Sequence, residues 1–319
     1  MAVPQITLRS GSTPMPRVGL GTASFPLSDT ESTRAAVLRA IELGYRHLDT
    51  AALYGSEEAV GQAVAEALST GLIASRDELF ITSKLWIRDA QAHLVLPALQ
   101  RTLKNLQLEY LNLYLIHFPI SAKPQGHPAI ITEDELMPID LTSVWRAMEE
   151  CQRMGLTKSI GVSNFSSKKI ETLLATAEIP PAANQVEVNP LWQQKKLREF
   201  CVAKGIQFCA FSPLGGKGTG WGKDWVMECD VLHEIAKAKG KSVAQICLRW
   251  VFEQGDVVIV KTFKENEMLE NLDILNWELT EEERDKISRI PQRKSLQALE
   301  LVSEKGPYKS SEELWDDCI

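Results

Sequence analysis

The stretch Tyr45-Arg46-His47-Leu48-Asp49-Thr50-Ala51-Ala52-Leu53-Tyr54 opens with a short apolar run, Tyr45–Asp49, that ends on a carboxylate and passes into a loop bearing a phenol. The pattern recurs downstream. Leu79–Ser83 runs into Lys84, and Leu111–Ile116 runs into His117. Between such runs lie segments with apolar residues at helical spacing, so the chain reads as parallel βα units. Strands are expected near 18–21, 45–49, 79–83, 111–116, 159–162, 183–187, 207–211 and 257–260. Helices are expected near 30–43, 57–71, 92–106, 142–154, 166–177, 195–204, 230–239 and 243–254, with shorter ones near 265–271 and 280–288. The reading predicts one α/β domain over residues 1–319, a (β/α)8 TIM barrel with long substrate-binding loops at its C-terminal face.

In such a barrel the strand ends share one rim, which would bring Asp49, Tyr54, Lys84 and His117 together. Each residue type alone is commonplace at a strand end; the set has a chemical logic. Hydride addition to a carbonyl leaves negative charge on oxygen, so a positioned acid must supply a proton. A phenol is a weak acid near neutrality, and an adjacent ammonium lowers its pKa. Tyr54 is thus the expected acid, Lys84 its tuning cation, Asp49 the counter-ion of Lys84, and His117 a hydrogen-bonding guide for the substrate oxygen.

Composition limits the alternatives. The 319 residues are 44% hydrophobic and 24% charged, enough for a sizeable core. A net charge of −7 argues against nucleic acid or an anionic membrane as partner. No apolar run approaches the roughly 20 residues of a membrane span, and no signal peptide is evident at Met1-Ala2-Val3-Pro4-Gln5. The six cysteines, Cys151, Cys201, Cys209, Cys229, Cys247 and Cys318, lack metal-site spacing and read as thiols of a reducing compartment. The expectations are a cytoplasmic monomer, no metal, and a small-molecule carbonyl as partner.

Local signals mark boundaries. Ser28 with Glu31, and Thr280 with Glu283, have capping-box spacing. Thr7–Pro16 reads as a turn closing the barrel bottom. Gly19-Leu20-Gly21-Thr22-Ala23-Ser24 begins like a dinucleotide fingerprint but lacks its third glycine, so a Rossmann fold is rejected. Segments 118–141, 215–230 and 290–319 exceed ordinary connections and are read as pocket walls, with 290–319 closing the substrate pocket.

Val18–Thr22, Gly44–Ala51, Ile160–Phe165 and Phe211–Gly215 resemble signatures of the aldo-keto reductase superfamily, a likeness running from about residue 15 to the C-terminus. Asn189–Arg198 and Gly306–Ser310 are similar to its plant branch of specialised-metabolism reductases. The resemblance implies an NADPH-dependent oxidoreductase with the cofactor extended across the barrel face. It assigns the nicotinamide carboxamide to Ser163, Asn164 and Gln185, ring stacking to Phe211, and the pyrophosphate to Ser212 and Leu214. Gly21, Thr22 and Asp49 complete that half. Lys261, Thr262 and Phe263 match the 2′-phosphate site, and Glu270 and Asn271 the adenine contacts. Where the family places an arginine, this chain has Glu267, which predicts weaker NADPH binding with NADH as a second candidate.

The expected substrate pocket is Ser24, Phe25, Trp86, Phe118, Trp221 and Trp225, with Arg88, Lys123 and Lys223 as candidates to meet a substrate carboxylate. The resulting expectation is reduction of a ketone or aldehyde in plant specialised metabolism. Detoxification of reactive aldehydes, or a noncatalytic cofactor-binding sensor, are the alternatives.

Overall fold

The computed structural model describes residues 3–9, 13–24, 27–216, 219 and 222–316. Eight parallel strands close into a barrel: β1 Val18–Gly21, β2 His47–Asp49, β3 Phe80–Leu85, β4 Leu111–Ile116, β5 Thr157–Ser163, β6 Ala183–Glu187, β7 Gln207–Phe211 and β8 Val257–Val260. They pair in chain order, and β8 returns to β1 through Val258↔Val18. A closed barrel has no crevice where strand order reverses, so the glycines of β1 serve the barrel rather than a Rossmann turn. Gly19 has a packing reason: a Cβ there would lie 2.9 Å from the His47 ring. That buried ring bridges Pro16 O and Thr82 Oγ1, both at 3.1 Å, and burial pulls its pKa down to about 4.

Alternation sorts each strand between two cores. On β3, Ile81 and Leu85 pack outward under the helices while Phe80 joins the barrel interior. The interior cluster also holds Leu113, Leu115, Ala183, Cys209, Val257 and Ile259. Its floor is an antiparallel pair, Gln5–Ile6 with Met15–Pro16, in which Met15, together with nearby Leu8, is buried against the interior cluster. The strands flanking the expected bottom turn therefore pair, while Ser10, Gly11 and Ser12 of that turn lie outside the described residues.

The helices follow the sequence closely. Ala92–Leu106 and Asp230–Lys239 match to the residue, and most other ends move by one or two positions. Thr280 and Glu283 make both bonds of a capping box. Ser28 does not cap the first helix, Thr30–Glu42; Asp29, immediately before it, accepts from Ser32 N–H at 2.8 Å. The cap must be the residue adjoining the first helical turn, and Asp29 holds that place. The strand expected at Tyr45–Asp49 shortens to His47–Asp49, with Tyr45 buried and its hydroxyl donated to Met268 O.

The long segments gather over the C-terminal rim. Phe118, Ile120, Ala122 and Leu136 from 118–141 pack with Leu296, Ala298, Leu301, Leu314 and Trp315 from the tail, forming a separate apolar cluster with Trp86. Ser121–Ala122 pairs with Leu136–Met137. Inside this loop the buried Arg88 guanidinium donates to four carbonyls, those of Lys123, Gln125, His127 and Ile130, and pairs with Glu135. Trp86 Nε1 donates to Pro128 O at 2.7 Å. Arg88, expected as a contact for substrate, is thus committed to the loop backbone.

Candidate active site

The site is assembled by strand ends. Asp49 closes β2, Lys84 lies within β3 rather than just past it, and His117 follows β4. Tyr54 sits on a single 3-10 turn, Ala52–Tyr54, ended by Gly55 at φ 63°, a backbone glycine adopts at little cost. Lys84 is fully buried and donates to Asp49 Oδ1 at 2.5 Å and Thr50 O at 2.9 Å. Its ammonium lies 4.8 Å from the Tyr54 ring centroid. Asp49 Oδ2 accepts from Gln185 Nε2 at 2.7 Å, so both carboxylate oxygens are held.

The electrostatics have a definite order. Burial pushes the Tyr54 phenol above its ordinary value, Lys84 pulls it down, and Asp49 pushes it up again. The downward pull has the expected sign, yet burial outweighs it. Burial opposes the charge on Lys84, but Asp49 and Tyr54 overcome it and hold the ammonium above the usual lysine range. Burial first and Lys84 second keep His117 well below the usual imidazole range, so the ring is neutral. Its edge meets Tyr54, with centroids 5.6 Å apart, and Trp86, at 5.3 Å. Among the described residues Nδ1 is buried without a partner.

A cleft of about 1230 Å³ runs from this cluster across the rim to β8. Tyr54, Asp49 and His117 line it, while Lys84 stands behind them. So do Gly21, Ser163, Asn164, Gln185, Phe211, Ser212, Leu214, Lys261, Thr262, Glu270 and Asn271. Thr22 and Phe263 do not: the Thr22 hydroxyl is buried against Asp49 O and Ser56 Oγ, and Phe263 lies under the Lys261 ammonium. Asn164 and Ser212 take φ of 63° and 47°, backbone that is costly outside glycine and recurs at functional sites. Asn164 Nδ2 also donates to His117 O at 2.9 Å, and Ser163 Oγ to Gln185 O at 2.7 Å, tying β4, β5 and β6 together.

At the far end Glu267 shapes the surroundings. It accepts from the Thr262 hydroxyl and pairs with Lys264 at 2.9 Å. Burial pulls the Lys261 pKa down, with Glu267 acting against that shift.

Of the expected pocket residues, Trp86 and Phe118 line the cleft. Phe25 and Trp221 lie outside the described residues. Ser24 and Trp225 are not on the wall; Trp225 packs against the main core beneath Arg293, 4.2 Å away. The segments 118–141 and 290–319, expected as pocket walls, do line the cleft, through Ala129, Ile131 and Ser295–Leu301, residues that sequence reading did not single out; Leu53 it missed altogether. Leu53, beside Tyr54 on the same turn, packs against the apolar cluster of the rim. The tail carries no periodic signal.

The comparisons agree with this geometry. The aldo/keto reductase family model matches residues 17–291. Deoxymugineic acid synthase 1 from Zea mays is 63% identical over 303 residues, covering 95% of this chain and 96% of the relative. The 7-acetyl-epi-neemfruitin B aldo-keto reductase of Melia azedarach is 58% identical over 316 residues, covering 99% and 98%. A crystal structure of a Bombyx mori aldo-keto reductase in complex with NADP superposes with a TM-score of 0.84 at 37% identity, covering 94% of this chain and 96% of that one. Barrel, rim cluster and likeness along nearly the whole length converge on one assignment: the chain belongs to the aldo/keto reductase family.

Proposed function

We propose that the protein reduces an apolar, ring-bearing ketone or aldehyde with NADPH, Tyr54 donating the proton to the carbonyl oxygen. The observation that carries this reading is the buried Lys84–Asp49 pair set directly behind Tyr54 at the floor of the cleft. The cleft fits the cofactor: the Phe211 ring, the Ser212–Leu214 backbone, and Lys261, whose partly desolvated ammonium gains from an arriving anion. When bound, NADPH supplies the hydride. The chain's own groups do the rest. Among the described residues no acceptor meets His117 Nδ1, so the proton of the neutral ring is best held on Nε2, where it can donate to the substrate oxygen. Tyr54 stays protonated across neutral pH and gives up its proton as charge builds on that oxygen. Lys84, anchored by Asp49, then stabilises the phenolate.

The carbonyl end is walled by Leu53, Trp86, Phe118, Ile131, Leu296 and Leu301. Of the three cations expected to meet a substrate carboxylate, Arg88 is spent on the loop, Lys123 is exposed beside Asp134, and Lys223 lines the cleft away from its apolar wall residues. These features favour apolar carbonyls of specialised metabolism over sugars. The buried thiols Cys151 and Cys201, pushed up to about 11 and about 12 by burial, suit a reducing cytosol. Among the described residues no helix is long and apolar enough to cross a membrane.

Loss of reduced-nicotinamide absorbance should be followed against aromatic aldehydes, ring ketones and keto acids across pH. Because Tyr54 is raised, reduction should be flat through neutrality and fall only as alkaline pH strips the phenol, while alcohol oxidation rises over the same range. A reduction rate that already declines between about pH 6 and about pH 8 would remove Tyr54 as the acid.

Glu267 gives a second expectation. It holds the Thr262 hydroxyl and Lys264 ammonium that would otherwise serve a 2′-phosphate, and it adds like charge. Glu267→Arg should tighten NADPH by about tenfold or more and leave NADH unchanged, read by quenching of protein fluorescence. Unchanged selectivity would show that Glu267 does not govern the phosphate end.

A further inference from the structure

Glu187, the last residue of β6, is 2% exposed. Burying a carboxylate is expensive unless its oxygens are well bonded. Here both are engaged by main chain from the C-terminal segment: Oε1 accepts from Ser295 N–H at 3.0 Å and Oε2 from Leu296 N–H at 2.9 Å. Asn189 Nδ2 adds a longer contact of 3.4 Å. Burial pushes this carboxyl up, while the two amides and the nearby Lys294 pull it back. Lys294 itself lies 2.9 Å from the Trp315 ring centroid, sheltered by the tail. A cavity of about 20 Å³ between Glu187, Gln194, Lys294 and Trp315 has room for one water.

The partners of Glu187 begin the stretch Ser295–Leu301 that lines the cleft. Two positions earlier, on the same face of β6, Gln185 donates to Asp49. One strand therefore bonds to the counter-ion of the acid at one level and to the substrate wall at the next. At its other end the tail is tied down through Asp316, which meets Lys169 at 2.5 Å and accepts from Ser166.

We infer that Glu187 is a positioning residue: its grip on the Ser295 and Leu296 amides fixes the C-terminal wall over the carbonyl end and so sets selectivity for bulky substrates. It acts through the wall without touching substrate. The inference rests on the reductase reading of the cleft, and its test separates the two.

Glu187→Gln keeps the volume but turns an amide NH2 towards one of the two N–H donors. With a multi-ring ketone, KM should rise about tenfold while kcat stays within about twofold. With a small aliphatic aldehyde, both constants should stay within about twofold, and the NADPH Kd should not move. Limited proteolysis should cleave faster within residues 297–310. Ser295→Pro removes one donor from the tail side and leaves the barrel untouched; because position 295 is itself on the wall, it should reproduce the faster cleavage within residues 297–310 along with the rise in KM for the large ketone. Equal losses for large and small substrates, or an unchanged KM with an equally protected tail, would overturn the inference. Wild-type protein that turns over no carbonyl would strike the reductase reading instead, and the proteolysis arm would still decide whether Glu187 holds the tail.

Discussion

Tyr54→Phe should lower kcat for carbonyl reduction by about 10²–10⁴-fold, the range a positioned general acid contributes. The substitution deletes one oxygen at the cleft floor and keeps the ring that packs beside His117 and over Lys84. Cofactor Kd and melting temperature should therefore stay near wild type, and substrate KM should change little. That split identifies an interaction used in the transition state rather than in binding. Stopped-flow measurement of the first turnover isolates the chemical step from product release. Undiminished turnover would refute the assignment of the acid, and NADPH binding by a wild-type enzyme inert to every carbonyl tried would favour the sensor reading.

Lys84→Met should damage both stability and catalysis. It removes one half of a buried ion pair and leaves Asp49 held only by Gln185, and breaking such a pair costs about 3–5 kcal/mol. The melting temperature should fall by roughly 5–10 °C in a chain of this size. The pH dependence has a fixed sign. The folded-state pKa of Lys84 lies above its unfolded value, so its contribution is complete below the ordinary lysine range and is lost as pH climbs through the folded value. The deficit between wild type and variant should thus be constant from about pH 6 to about pH 9 and shrink only in stronger alkali. Residual activity should be low because the phenol loses the cation that opposes burial. A variant as stable as wild type would mean the pair is not sealed from water as the geometry requires.

Much of the fold was legible because barrel strands are short, apolar and separated by helices of regular period. Leu111–Ile116, Ala183–Glu187, Gln207–Phe211 and Val257–Val260 needed no adjustment. The rim cluster was legible for a related reason: strand ends converge whatever their separation in sequence. What escaped notice depended on contacts between distant segments. Arg88 read as a free cation until its loop closed around it, and the tail had no period to reveal that it meets Glu187. The dominance of burial over Lys84 at Tyr54 was equally hidden, since sequence names the neighbouring charges but not the water they displace.

The grip of Arg88 has an evolutionary consequence. Four of its bonds end on peptide oxygens, which every amino acid offers, so apart from Glu135, which it pairs with, and Gly126, where a side chain would strike it, Arg88 fixes the path of the 123–135 loop without reading side-chain identity. Ala129 and Ile131, which face the cleft from this loop, can then be exchanged without redrawing its course. New substrate preferences become reachable by single replacements on a preserved frame, with the catalytic floor left undisturbed.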